Sequence, residues 1–267
     1  MNNVFNRKSA FTKLLSAWAA LSVAVTTSAP AFAAGTEVLG GNSVLADLTR
    51  VTMDSNTPDA AVFSSTAASG VLDWTRFNIG AGQSMTFDGA STTFFNLVDG
   101  AAGKSQIDGI INGNGNVWVI NPAGVAFGAG SKVDLGGLFA AAAGNVENAI
   151  ALRDGTATSP TFSSFDGNVT TTGGFGVPSS QFSASQVALL GRKVSAAGDF
   201  AGADKLTLGA SDKLVVVDDV YGGGVSVVLG DFASDAEVSL CLYRHFDNGI
   251  SLSSLCSKEI RSQNLYY

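Results

Sequence analysis

The chain has 267 residues, with 15 Lys and Arg against 22 Asp and Glu, a formal net charge of −7, and only 14% charged residues. That acidity excludes a nucleic-acid ligand, whose binding is dominated by Lys and Arg neutralising phosphates, and it excludes a polybasic membrane contact. With 32 glycines and so little charge, the chain lacks the charged periodicity of surface helices and reads as all-β.

Arg7, Lys8 and Lys13 precede an apolar stretch from Leu14 to about Val25, and Ser28-Ala29-Pro30-Ala31-Phe32-Ala33 follows. A basic region, a short apolar core and a small-x-small site make a secretory signal peptide, with cleavage expected between Ala33 and Ala34. The core is shorter than the ~20 apolar residues a membrane-crossing helix needs. Removing residues 1–33, which hold three basic and no acidic side chains, leaves 234 residues and a charge of −10. No later segment is long enough to span a bilayer, and the best, Leu135 to Ala143, reads as buried core.

From about residue 36 a single grammar repeats: runs of three to six apolar or alternating residues end at Gly, Asn or Asp, as in "SMTFDG", "QIDGIINGNG", "NVWVINPAG", "VAFGAG", "KVDLGG" and "KLTLGA". These are strands and turns. Their spacing leaves no room for crossover helices, which excludes a sheet of βαβ units. A sandwich or barrel of hairpins should show tight turns flanked by clean alternation. Here alternation gives way to continuous runs such as "VWVI" and "LVVV", which a solenoid tolerates where residues turn at coil corners. The pattern favours a β-helical solenoid, although no strict repeat period is visible.

Between Val117–Ile120 and Val125–Phe127 lies Asn121-Pro122-Ala123-Gly124. Pro122 presets the second position of a β-turn, Asn121 can accept a backbone hydrogen bond on its side chain, and Gly124 tolerates positive φ. The turn sets the angle between two strands, so its first role is structural.

The same stretch carries a family resemblance. Ser105-Gln106-Ile107-Asp108-Gly109, then Asn114 to Gly128, then Val133-Asp134-Leu135-Gly136-Gly137-Leu138 resemble the core of the two-partner-secretion domain, or haemagglutination activity domain, of filamentous haemagglutinin-like exoproteins. Val71 to Phe87 ("VLDWTRFNIGAGQSMTF") and Gln186 to Gly202 ("QVALLGRKVSAAGDFAG") resemble flanking elements of that family, and the ordered set covers roughly residues 36 to 230. The resemblance implies a right-handed parallel β-helix with an N-terminal cap. It also implies recognition in the periplasm by an outer-membrane β-barrel transporter carrying docking domains, then export to the cell surface or medium. A host or neighbouring-cell surface is the further partner it implies. Asn121, Pro122 and Gly124 match the family's secretion motif turn, needed for export at least partly because it holds the fold; Ala123 replaces the family's second Asn. An exposed strand edge could engage the transporter by strand addition.

Little in the chain suggests catalysis, a cofactor or a metal site. The only histidine, His245, lies in the tail, and no His/Cys cluster has zinc spacing. The rival reading is a β-helical polysaccharide lyase or hydrolase. Its best candidates, Asp218 and Asp219, are adjacent on a strand, so their side chains point to opposite faces unless a turn redirects one.

The expected organisation is a signal peptide (1–33), a secretion domain (34–239) and a tail (240–267) that abandons the Gly-rich grammar. With no further repeats or toxin domain after it, a nuclease or toxin activity is not inherited from the family. The tail holds Cys241 and Cys256, a candidate disulfide in an exported chain. Two readings of the tail stand: a cap over the last coil, or the foreign end of a truncated gene.

Overall fold

The Gly, Asn and Asp punctuation cuts the chain into short strands, most of which stack in register from one coil to the next. The computed structural model describes residues 35–173 and 178–211, and beyond them the backbone of five strands. The expected signal peptide, its cleavage site at Ala33 and Ala34, and His245 lie outside the described residues.

Four strands open the fold: β1 (Thr36–Val38), β2 (Ser43–Thr49), β3 (Thr52–Asn56) and β4 (Ala60–Ser64). The winding then begins with β5 (Ser69–Arg76) and β6 (Ser84–Asp88). The next two coils are β7 (Thr93–Val98), β8 (Ser105–Ile107), β9 (Ile110–Gly113), and β10 (Asn116–Ile120), β11 (Val125–Phe127), β12 (Lys132–Leu135). After β13 (Leu138–Ala142) the chain makes an excursion through β14 (Gly144–Val146), helix α1 (Ala149–Asp154) and β15 (Phe162–Phe165), and then completes its coil with β16 (Asn168–Thr171) and β17 (Gln181–Ala184). One more coil is β18 (Gln186–Gly191), β19 (Lys193–Ala196), β20 (Asp199–Ala203). The last described strands are β21 (Lys205–Ala210), the hairpin β22 (Leu214–Asp219) and β23 (Gly224–Leu229), β24 (Glu237–Tyr243), β25 (Ser254–Lys258) and β26 (Asn264–Tyr266).

Three sheets run along the winding. The first joins β5, β7, β10, β13, β18 and β21 in parallel. The second joins β8, β11, β16, β19 and β24 in parallel. The third joins β4, β6, β9, β12, β17 and β20 in parallel. Parallel pairing of strands from successive coils is the signature of a parallel β-helix, and the fold class read from the sequence is the one observed.

The N-terminal end is capped by strands of the opposite sense. β2 lies antiparallel on β5, β1 antiparallel on β2, and β3 antiparallel on β4. The cap plugs the helix with Val38, Leu39, Leu45, Phe63, Trp74 and Phe77, all nearly or fully buried. At the other end β25 pairs antiparallel with β24 and β26 antiparallel with β21. The interior between the sheets is filled by aliphatic and aromatic side chains, including a run of rings from Phe127 to Phe182 (5.1 Å) to Phe200 (4.7 Å, stacked).

The continuous apolar run at 117–120 has a different cause from the one the sequence suggested. "VWVI" does not turn a corner; it is β10, buried on both faces. Val117 and Val119 point into the helix, while Trp118 and Ile120 join a second apolar cluster on the outside of the first sheet. There Val71, Phe95, Trp118, Ala140 and Ala188 lie in register across five strands. The excursion covers them with Leu152, Phe162 and Phe165. A strand covered on both sides reads as an unbroken hydrophobic run because neither face needs polar side chains. The 9-residue run Leu135 to Ala143 contains β13, whose five residues are all buried.

Candidate functional site

The Asn121-Pro122-Ala123-Gly124 turn carries the chain from β10 in the first sheet to β11 in the second. The Gly124 N–H donates to the Asn121 carbonyl at 2.9 Å, closing a β-turn, and the Ala123 N–H donates to Asn121 Oδ1 at 2.9 Å. Asn121 thus uses its side chain as a second backbone acceptor. Its amide nitrogen turns inward, donating to the Gly103 carbonyl at 3.0 Å and to Ser105 Oγ at 3.0 Å in the preceding coil. Asn121 is fully buried. Gly124 sits at φ +120° and accepts the Ser105 N–H at 3.0 Å through its carbonyl.

Neighbouring corners lock this turn from both sides. A Cβ on Gly100 would approach Pro122 Cγ to 2.9 Å, and one on Gly167 would reach the Pro122 carbonyl oxygen at 2.5 Å and the Gly124 nitrogen at 2.6 Å. The turn is therefore one rung of a column of corners in which glycine above and below permits close backbone stacking. Of its four residues only Ala123 is exposed, and Pro122 is half-buried. The surface it offers is apolar and small, with no acid, base or nucleophile.

Ser105 is the residue that the spacing alone did not connect to the turn. It belongs to the Ser105-Gln106-Ile107 element, and its hydroxyl joins that element to Asn121 across one coil. The other motif glycines have similar work. A Cβ at Gly109 would meet the Gln83 and Gly80 carbonyl oxygens at 2.3 and 2.4 Å, and one at Gly137 would meet Asn116 Oδ1 at 2.3 Å.

Asp218 and Asp219 end β22, in register with Val225 and Gly224 of β23, beside the hairpin connection. Cys241 and Cys256 are direct register partners on β24 and β25. The side chains of these strands lie outside the described residues. Among the described residues no group of three His, Cys, Asp or Glu side chains could hold a metal ion, and no helix is long and apolar enough to cross a membrane.

The chain is a capped parallel β-helix whose corner motifs interlock from coil to coil. The chain belongs to the family of TPS secretion domains: the family's model matches residues 55–240. Such domains serve two-partner-secretion exoproteins, which cross the outer membrane with the help of a partner transporter. Over 109 residues, 40% of this chain, it is 30% identical to the heme/hemopexin-binding protein of Haemophilus influenzae. It also resembles the HMW1 secretion domain from Haemophilus influenzae, with 19% identity, a TM-score of 0.49 and coverage of 73% of this chain. The matches span 11% of the length of that binding protein and 51% of the HMW1 secretion-domain chain.

Proposed function

We propose that residues 34–239 direct this chain from the periplasm through an outer-membrane β-barrel transporter carrying periplasmic docking domains, and that the exported protein is surface-associated and adhesive, in the manner of filamentous haemagglutinins. The match of residues 55–240 to the TPS secretion domain carries this reading, and the enzyme-poor chemistry of the corner column agrees with it. The acidic, Gly-rich chain suits export, because a solenoid stabilised by nearest-neighbour coils can fold progressively as it emerges. In this reading residues 1–33 supply the signal peptide. Asn121, Pro122 and Gly124 serve export chiefly by holding the corner, since three of the turn's four residues are at least half-buried. Docking proceeds by strand addition to the open edge of β3, which ends its sheet. A Cys241–Cys256 disulfide fastens the antiparallel β24–β25 pair.

The test compares secretion of wild type and Asn121→Ala in a host with and without the candidate transporter, while the folding of each purified protein is followed. Transporter-dependent release of wild type is expected, and retention in the periplasm beside an active transporter would overturn the export reading. An unfolded Asn121→Ala chain assigns the turn to structure; a folded but unsecreted one assigns it to recognition. For the docking edge, undiminished transporter binding by Asp54→Pro, at an exposed position of β3, would rule out strand addition there.

A further inference from the structure

Helix α1 has six residues and no side-chain hydrogen bond at its N-cap, far short of the length at which a helix persists alone. What holds it is a set of contacts reaching back to the cap. Arg153 in its last turn makes a two-pronged contact with Asp73 of β5, Nε to Oδ2 at 2.9 Å and Nη2 to Oδ1 at 2.6 Å. Arg50, at the β2–β3 turn, donates to the Leu152 carbonyl at 2.7 Å and to the Arg153 carbonyl. The same guanidinium donates to the Ser69 carbonyl at 2.9 Å, so it ties the helix terminus to the start of β5. Gly155, left-handed at φ +73°, leaves the room this needs: a Cβ there would lie 3.2 Å from the guanidinium carbon.

These contacts meet an electrostatic defect in the cap. Asp47 of β2 is the register partner of Asp73 on β5, and like charges directly opposite on antiparallel strands destabilise the pair. Arg153 supplies the missing cation. Its pKa is raised by the hydrogen bonds to Asp73, against the opposing effect of burial, and the charges of Asp73 and Asp47 raise it further.

We propose that α1 is a clasp for the N-terminal cap: the β2–β5 pairing reaches its full stability only when Arg153, 80 residues beyond Asp73, binds Asp73 near Asp47 and Arg50 grips the helix end. The cap can therefore form as the first strands wind, but it is fully secured only once residues through Gly155 are in place.

The test is hydrogen exchange by mass spectrometry on the full chain. Arg153→Met should accelerate exchange of β2 amides by at least about tenfold, as expected for loss of charge-assisted hydrogen bonds, while β10, β13 and β18 stay protected. Adding Asp47→Asn should restore most of the β2 protection, because the repulsion that Arg153 offsets is gone. Faster exchange confined to residues 149–155, or no restoration by Asp47→Asn, would overturn the proposal. Should Arg153→Met fail to fold, Arg153→Gln, which removes the charge but keeps a hydrogen-bond donor, is compared with and without Asp47→Asn by the same criterion.

Discussion

Asn121 Nδ2 donates at 3.0 Å to Ser105 Oγ in the preceding coil, and both residues are closed to solvent. The contact joins two sequence elements that lie 16 residues apart and fixes how one corner sits on the next. Replacing Asn121 by Ala leaves the Gly103 carbonyl and the Ser105 hydroxyl without this donor and removes the acceptor of the Ala123 N–H. Of these groups only the Ser105 hydroxyl is buried, while Gly103 and Ala123 lie at exposed positions; a buried group that loses its partner costs about 1–3 kcal/mol, so Asn121→Ala should destabilise by about that much in urea denaturation. Ser105→Ala should cost about 1 kcal/mol, because Asn121 keeps its bond to Gly103. The double variant should fall clearly short of additivity; strict additivity would mean that the two side chains do not act together.

The corner column predicts that two glycines of similar appearance behave differently. Gly167 has backbone atoms of Pro122 and Gly124 within 2.6 Å of where a Cβ would go, whereas Gly103, at φ +88°, has nothing within 4 Å. Gly103→Ala should cost only the left-handed backbone strain, about 1–2 kcal/mol. Gly167→Ala must push two coils apart, and overpacking of this kind costs about 1–3 kcal/mol or more. Thermal melts of the two variants should rank Gly167→Ala as the worse; the reverse order would refute tight stacking at the turn.

Phe94 and Phe95 are sequence neighbours that face opposite sides of β7, and both are fully buried. Phe94 belongs to the interior cluster and Phe95 to the outer one beneath the excursion. Truncating either to Ala should cost about 3–5 kcal/mol. A solenoid with a bare outer face would instead tolerate Phe95→Ala or gain solubility from it. Urea midpoints that fall for Phe94→Ala alone would show that the excursion does not seal the outer face.

The β-helix was legible because strands ending at Gly, Asn or Asp follow one another too closely for helices to intervene. The turn was legible because Asn121, Pro122 and Gly124 each have one dominant local use. The repeat period was not, and the register shows why: Val71, Phe95, Trp118, Ala140 and Ala188 are aligned although separated by 24, 23, 22 and 48 residues in sequence. The excursion through α1 fills the last gap, so no fixed spacing exists to be found. The same excursion explains why Trp118 looked like a corner residue when its strand is buried on both faces. The Arg153–Asp73 pair leaves no local trace, because its partners meet only after the intervening coils have been wound.

Asn96 offers a final test of the interior. It is fully buried in β7, accepts a hydrogen bond from Trp74 Nε1 at 3.0 Å and donates to the Trp118 carbonyl at 3.0 Å. Asn96→Leu keeps the bulk but strands the indole N–H in an apolar interior, at a cost of about 1–3 kcal/mol. Asn96→Asp retains the acceptor for Trp74 but, when ionised, sets a negative charge against the Trp118 carbonyl. Burial of that carboxylate raises its folded pKa above the unfolded value of about 3.9. A raised acid pKa makes the variant most stable at low pH, where the protonated carboxyl can donate to Trp118, and progressively less stable as pH rises through the folded pKa. The melting-temperature deficit of Asn96→Asp relative to wild type should therefore be smaller at pH 4 than at pH 7. A deficit independent of pH would mean that water reaches Asn96, contrary to its burial between the two tryptophans.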